Sequence, residues 1–270
     1  MSYATLLCRA KLGVTAPLVT VEVHISSGLP GFTIIGLAET ALKESRERVR
    51  SALMASHFEF PLQRITVNLA PAELPKAGGH YDLAIAVGIL IASGQLDPGD
   101  TGDIEFIGEL ALNGALRPAE GLLPAALACS EAGHQLICSA DHGIAPVLLE
   151  SLQGVGGSHL LEVSAHLQQR LQLPALQSLA APCSAPRSVE GGEVADIIGQ
   201  SAAKRALLIA ACGGHNLLFS GPPGSGKTLL ASCLPALLPP LDAEHFRQLA
   251  VLYAVAGEAL PTPLYQPPFR

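Results

Sequence analysis

The sequence predicts two domains of different class: an α+β domain, followed by the opening part of an α/β domain. Three observations carry that reading. Residues 4–173 group runs of strand-like alternation ahead of helical periods, the pattern of an α+β unit. A segment rich in Pro, Ser, Ala and Gly, without periodicity, follows at 173–193. Beyond it, a short apolar run, a glycine-rich loop and a helix follow in direct succession. The predicted bounds are 1–172, a linker at 173–193, and 194–270.

Residues 4–12 and 17–26 read as an antiparallel pair, the second alternating through Val19, Val21, Val23 and Ile25 against Thr20, Glu22 and His24. Thr33-Ile34-Ile35 is a short strand. A helix is predicted over Glu39–Ser56, because Leu42, Val49 and Leu53 share one face. Its other face carries Lys43, Glu44, Arg46, Glu47, Arg48 and Arg50, which reads as a solvated surface laced with helical ion pairs. Arg64–Leu69 is a strand, and Asp82–Ala92 a strongly apolar helix. Ile104–Leu112, the Asn113-Gly114 turn and Ala115–Arg117 read as a hairpin. Then come a helix at Gly121–Ala132, a strand at Gln135–Cys138, a helix at Ile144–Leu152, a strand at His159–Val163 and a closing helix at Ala165–Leu173. After the linker, Asp196-Ile197-Ile198-Gly199-Gln200 leads into a helix, Ser201–Cys212, stopped by Gly213-Gly214. Asn216–Ser220 is the predicted strand before the glycine-rich loop, and Thr228–Leu234 the helix after it, ending at Pro235.

With 270 residues, 49% hydrophobic and 14% charged, the chain has the composition of a globular protein. Its acidic excess is N-terminal: up to residue 180 there are 10 Lys and Arg against 17 Asp and Glu, and 6 against 6 after it. No basic stripe marks a nucleic-acid surface, and 4% aromatics without Trp leave little for base stacking. Cys8, Cys129, Cys138, Cys183, Cys212 and Cys233 form no C-x-x-C pair and read as reduced cytosolic thiols, which makes the expected location cytoplasmic. The longest apolar run, Leu83–Ala92, is too short to span a bilayer, so no membrane partner is expected.

Gly221-Pro222-Pro223-Gly224-Ser225-Gly226-Lys227-Thr228 fills each fixed position of G-x-x-x-x-G-K-[ST]. The glycines let successive backbone N–H groups point inward around phosphate oxygens. Lys227 supplies a point charge for the β- and γ-phosphates, and Thr228 a hydroxyl for magnesium. The expected cofactors are therefore ATP and Mg2+. Hydrolysis also needs a carboxylate at the end of a second apolar strand. Asp242, Glu244 and Glu258 are the acidic residues downstream, and none fits: Pro239 and Pro240 exclude a central strand before the first two, and Glu258 follows Gly257 at a helix end. The chain is thus expected to bind ATP without turnover and to be the front part of a longer protein. His24, His57, His134, His142, His159, His166, His215 and His245 lie singly, without metal-ligand spacing, and no G-x-S-x-G elbow is present.

Asp196–Gln200, Lys204-Arg205-Ala206-Leu207, Ala210–Leu218 and the glycine-rich loop closely resemble the magnesium-chelatase-like AAA+ family called YifB or ComM. Gly36–Ala41, Lys43–Arg50 and Val67–Ala72 are similar to signatures of the same family, and Pro268-Phe269-Arg270 looks like the start of a further motif. Family members run to about twice this length, which implies a truncated chain. The resemblance implies a Lon-protease-like fold for the first domain. Lon's serine would stand at His80, within Pro75–Asp82, and its lysine at Leu123, within Glu120–Leu123. A leucine accepts no proton, so no Ser-Lys peptidase can operate. The resemblance further implies a homo-hexameric ATPase ring acting on DNA, with a role in natural transformation and branch migration, and places Asp196, Ile197, Ile198, Gly199 and Gln200 around the adenine. Two other readings stay open: an ATPase subunit for metal insertion of the magnesium-chelatase type, and a nucleotide-regulated interaction module without hydrolysis.

Overall fold

The structure, a computed structural model, describes residues 3–36, 39–76, 78–145, 148–150, 152–179, 194–260 and 265–268. Leu37, Ala38, Ala77, the 180–193 stretch and Phe269-Arg270, all part of the segments quoted above, lie outside the described residues. The chain divides into two units, Met1–Cys183 and Ser184–Arg270.

Unit 1 is built on a seven-stranded mixed sheet. Its strands are β1 (Tyr3–Arg9), β2 (Leu18–Ser26), β3 (Gly31–Ile35), β4 (Arg64–Ala70), β5 (Ile104–Phe106), β8 (Gln135–Ser139) and β9 (Gly154–Gly157), in the order β3-β4-β2-β1-β5-β8-β9. β2 pairs antiparallel with β1 and β4, and the other neighbours are parallel. The alternation in β2 does what it predicts: Val19, Val21, Val23 and Ile25 are buried while Leu18 and His24 are exposed. Helix α1 (Glu39–Ala55) packs beside β3, and α2 (Asp82–Ala92) lies on β1 and β2. Ile91 is the one residue of α2 outside its buried set, so this helix is apolar on all sides because it is enclosed on all sides. It lies so close to the sheet that a Cβ at Gly88 would sit 2.6 Å from Val23 Cγ2.

Four expectations for unit 1 need correction. Ile104–Phe106 leaves the hairpin and joins the main sheet between β1 and β8; the hairpin proper is β6 (Glu109–Leu110) with β7 (Leu116–Arg117). No α-helix forms at the described residues of 144–152. The strand placed at His159–Val163 is instead the start of α4 (Leu160–Leu167), because the His159 ring accepts the Leu161 N–H as an N-cap. The strand of this region is the glycine-rich β9. Helix α3 (Leu122–Ala132) stands where expected, while the closing helix ends at Leu167.

The segment from Leu173 packs on unit 1 through α5 (Leu176–Leu179). Leu173 and Leu176 are buried, the Gly156 N–H donates to Pro174 O at 3.0 Å, and Gln177 Nε2 donates to Leu149 O and Leu152 O at 2.9 Å each.

Among its described residues unit 2 is helical: a 3-10 turn at Val194–Asp196, then α6 (Ser201–Gly213), α7 (Lys227–Ser232), α8 (Leu234–Leu237) and α9 (Ala243–Ala256). Its buried residues are few, among them Leu207, Ala210, Leu230, Cys233, Phe246 and Ala250. The predicted strand Asn216–Ser220 has no ladder, since a strand needs a neighbour for its N–H and C=O groups and none is present among the described residues of unit 2. Pro235 does not simply end a helix; it sits in the first turn of α8, where its missing N–H costs nothing. Asp242 caps α9 by accepting the His245 N–H at 2.8 Å.

Candidate phosphate-binding site

The glycine-rich stretch of unit 2 forms an exposed loop that opens directly into α7. Its shape comes from backbone angles rather than from packing. Gly224 and Gly226 have φ of 78° and 83°, in the left-handed region, with nothing within 4 Å of a Cβ at either position. Glycine is therefore required there for conformation, not for space. Gly226 caps α7, so the helix N-terminus and its partial positive charge face the loop.

Polar contacts hold the turn closed. Ser225 Oγ donates to Pro222 O at 2.8 Å. The Lys227 ammonium donates to Gly221 O at 2.9 Å, to Pro222 O at 2.7 Å and to Ser225 Oγ at 3.3 Å. The charge of Lys227 is thus shared among three oxygens of the loop. Thr228 is exposed in the first turn of α7.

The structure brings the Asp196–Gln200 segment to this loop. Gln200 Nε2 donates to Ser225 O at 3.4 Å, from a backbone held in the left-handed region beside Gly199. Ile198, at 97% relative exposure, is an apolar side chain open to solvent at this place. Sequence reasoning did not anticipate the role of Lys204, whose ammonium donates to Ile197 O and so ties the segment to the first turn of α6. Seven residues separate the two, and spacing alone gives no sign of such a contact. The acidic residues stand apart in role: Asp242 is spent on capping α9, and its carboxyl is held below its ordinary range by the His245 backbone and ring. Among the described residues, no group of three His, Cys, Asp or Glu side chains could hold a metal ion. No described helix is long and apolar enough to cross a membrane.

In unit 1 some of the charged side chains are instead buried in networks. Asp82, fully buried at the start of α2, accepts from Ser45 Oγ at 2.6 Å and from Arg48 Nε at 2.6 Å. Burial pushes its carboxyl up to about 6 against the pull of Arg48 and Ser45. Glu105 accepts both arms of Arg9, at 2.8 and 2.6 Å, and His134 Nδ1 lies 2.8 Å from the same carboxylate. His80 is buried, its Nε2 without a hydrogen-bond partner among the described residues, and burial pulls the ring down to about 4. Burial also raises the Cys129 and Cys138 thiols to about 12, so neither is a ready nucleophile.

Two models of the magnesium-chelatase ChlI subunit match this chain: "Subunit ChlI of Mg-chelatase" over residues 21–142, and "Magnesium chelatase, subunit ChlI" over 193–270, which includes the loop. The competence protein ComM of Haemophilus influenzae is 47% identical over 272 residues, covering all of this chain and 53% of ComM. The chain belongs to the magnesium-chelatase-like YifB/ComM family. YifB of Salmonella typhimurium is 47% identical over 274 residues and YifB of Escherichia coli 44% over 271, each covering all of this chain and 53% of the relative. The chain thus spans about half the length of the YifB/ComM relatives it matches. The ChlI-like match at 21–142 runs from within β2 through β8, and the one at 193–270 takes in the loop, α6 and α9.

Proposed function

We propose that unit 2 binds ATP through Gly221, Pro222, Pro223, Gly224, Ser225, Gly226, Lys227 and Thr228, as the front part of an AAA+ ATPase module. The observation that carries this reading is the conjunction of two left-handed glycines with a lysine bonded to loop oxygens and a helix N-terminus behind it. Backbone N–H groups in that arrangement suit phosphate oxygens, and the Lys227 ammonium can exchange loop carbonyls for β- and γ-phosphate oxygens with no loss of charge-assisted bonds. Asp196, Ile197, Ile198, Gly199 and Gln200 border the adenine, with the exposed Ile198 as its apolar contact. Mg2+ fits only as the companion of the nucleotide: Thr228 offers one hydroxyl, and the remaining ligands come from phosphates and water. Bound there, the ion neutralises phosphate charge, and this chain's contribution is to position the triphosphate.

In the longer protein we assign this module to a cytoplasmic homo-hexameric ring that remodels DNA by branch migration during natural transformation. Support comes from the family and from the name of the competence protein ComM. The first domain, 1–172, takes the Lon-protease-like part, with 173–193 as its connection to 194–270. It has no peptidase chemistry, since His80 and Leu123 stand at the positions of the serine and the lysine and both are buried. Metal insertion is the rival that the ChlI name itself favours.

Titrating ATP with Mg2+ into the protein by calorimetry tests the site. Removing the lysine ammonium in Lys227→Ala costs about 1.5–3 kcal/mol, roughly ten- to a hundredfold in affinity. Unchanged affinity in that variant refutes the assignment of the loop.

A further inference from the structure

Helix α6 opens on two successive residues in the left-handed region, Gly199 with φ of 74° and its N-cap Gln200 with φ of 52°. That conformation costs energy for a residue with a side chain and persists where surrounding contacts hold it. The Gln200 side chain does not cap its own helix. Its amide reaches across to Ser225 O at 3.4 Å, and Ser225 Oγ in turn donates to Pro222 O and accepts from the Lys227 ammonium. The start of α6 is thereby bonded to the glycine-rich loop.

Lys204 holds the same turn from the helix side. Its backbone N–H donates to Gln200 O at 2.9 Å, and its ammonium reaches back to Ile197 O. Ile198, Gly199 and Gln200 are bracketed between these two bonds. A cation near the start of a helix faces the positive end of the dipole, which disfavours it there. The dipole therefore gives no reason for a lysine at 204, whereas the Ile197 carbonyl does. Within the bracket Ile197 is half-buried and Ile198 is held out at 97% exposure. An apolar side chain kept in water, on a turn bonded to a phosphate loop, suits the flat and weakly polar part of a phosphorylated ligand.

We propose that Lys204 is a positioning residue for the base end of the nucleotide: by holding Ile197 O it fixes the Ile198 turn, and Gln200 sets that turn in register with the phosphate loop. The inference rests on the reading of the loop as a triphosphate site. Lys204 itself touches no phosphate and no base. Its contribution is that the turn is already ordered when the nucleotide arrives, so that less conformational freedom is lost on binding. The two lysines divide the ligand between them. Lys227 acts on any triphosphate, and Lys204 only on one that carries a base.

The test is calorimetric titration of the whole 270-residue chain with ATP and, separately, with inorganic tripolyphosphate, each with Mg2+. The wild-type chain is expected to prefer ATP. Lys204→Met keeps helix propensity and removes the ammonium. In that variant ATP affinity is expected to fall about tenfold while tripolyphosphate affinity stays within about twofold, which also shows that the variant folds. In an Ile198→Ser background the same change is expected to cost ATP only about twofold, because the lysine acts through the turn that presents Ile198. Lys227→Ala is expected to weaken both ligands. Equal wild-type affinity for the two ligands overturns the proposal, as does a Lys204→Met chain that binds ATP like wild type or loses both ligands alike. So does a full tenfold cost in the Ile198→Ser background. A Lys227→Ala chain that binds both ligands as tightly as wild type refutes the phosphate-loop reading itself, a failure distinct from these.

Discussion

Unit 1 and unit 2 use glycine and charge in opposite ways. In unit 1, Gly88 is glycine because Val23 and Leu6 leave no room for more, and Arg9, Glu105, Asp82 and Arg48 are locked into buried networks. In unit 2, Gly224 and Gly226 stand in open space, and Lys227 is held by loop oxygens that a ligand can replace. The first arrangement fixes a shape; the second keeps donors available. A region of few buried residues and solvent-facing backbone is where local opening costs least and where ligands act.

The largest effect that separates the two units is expected at Glu105. Glu105→Ala leaves the Arg9 guanidinium uncompensated inside the sheet, and removing one member of a buried pair costs about 3–5 kcal/mol. Urea unfolding followed by a unit 1 probe reads it, and ATP affinity is expected to stay within about twofold. A loss below about 1 kcal/mol removes the contrast.

A second, smaller effect has two opposed signs. His80 is pulled down to about 4, so the unfolded chain binds its proton first and stability is lost as pH falls from about 6.5 to 4. Asp82 is pushed up to about 6, so the folded chain holds its proton longer, and stability gained below about pH 4 is lost as pH rises through 6. Each is worth on the order of 2–3 kcal/mol at most. In thermal melts across pH 4–7, stability is expected to shift toward falling with pH in His80→Gln, which keeps only the Asp82 contribution, and toward rising with pH in Asp82→Asn, which keeps only that of His80. Identical slopes in both variants contradict the burial of these groups.

The sequence made part of this contrast visible. The β2 alternation and the all-apolar α2 were readable because burial on one face, or on all faces, leaves a periodic mark. β9 left none: Gly154-Val155-Gly156-Gly157 has no apolar period, because side chains from elsewhere fill its space, Leu176 Cδ1 lying 2.7 Å from where a Gly154 Cβ would be. His159 concealed the start of α4, since a capping imidazole looks like any polar residue ahead of an apolar run. At the loop, the glycines, lysine and threonine announced themselves through spacing, while the bonds from Gln200 and Lys204 depend on how the preceding turn folds and have no local signature.

The smallest effect is expected at Gly226→Ala. A side chain in the left-handed region costs about 1–2 kcal/mol, and that cost falls on α7 and nucleotide affinity, with unit 1 melting unchanged. Wild-type affinity in this variant means that the loop does not need the angle it adopts.

Amide hydrogen exchange with and without ATP and Mg2+ tests the central claim most directly, because both units report in one measurement. The account predicts new protection across Gly221–Leu230 and at Gly199-Gln200, with β1 through β9 unaltered. Protection confined to unit 1, or none at the loop under saturating nucleotide, contradicts it.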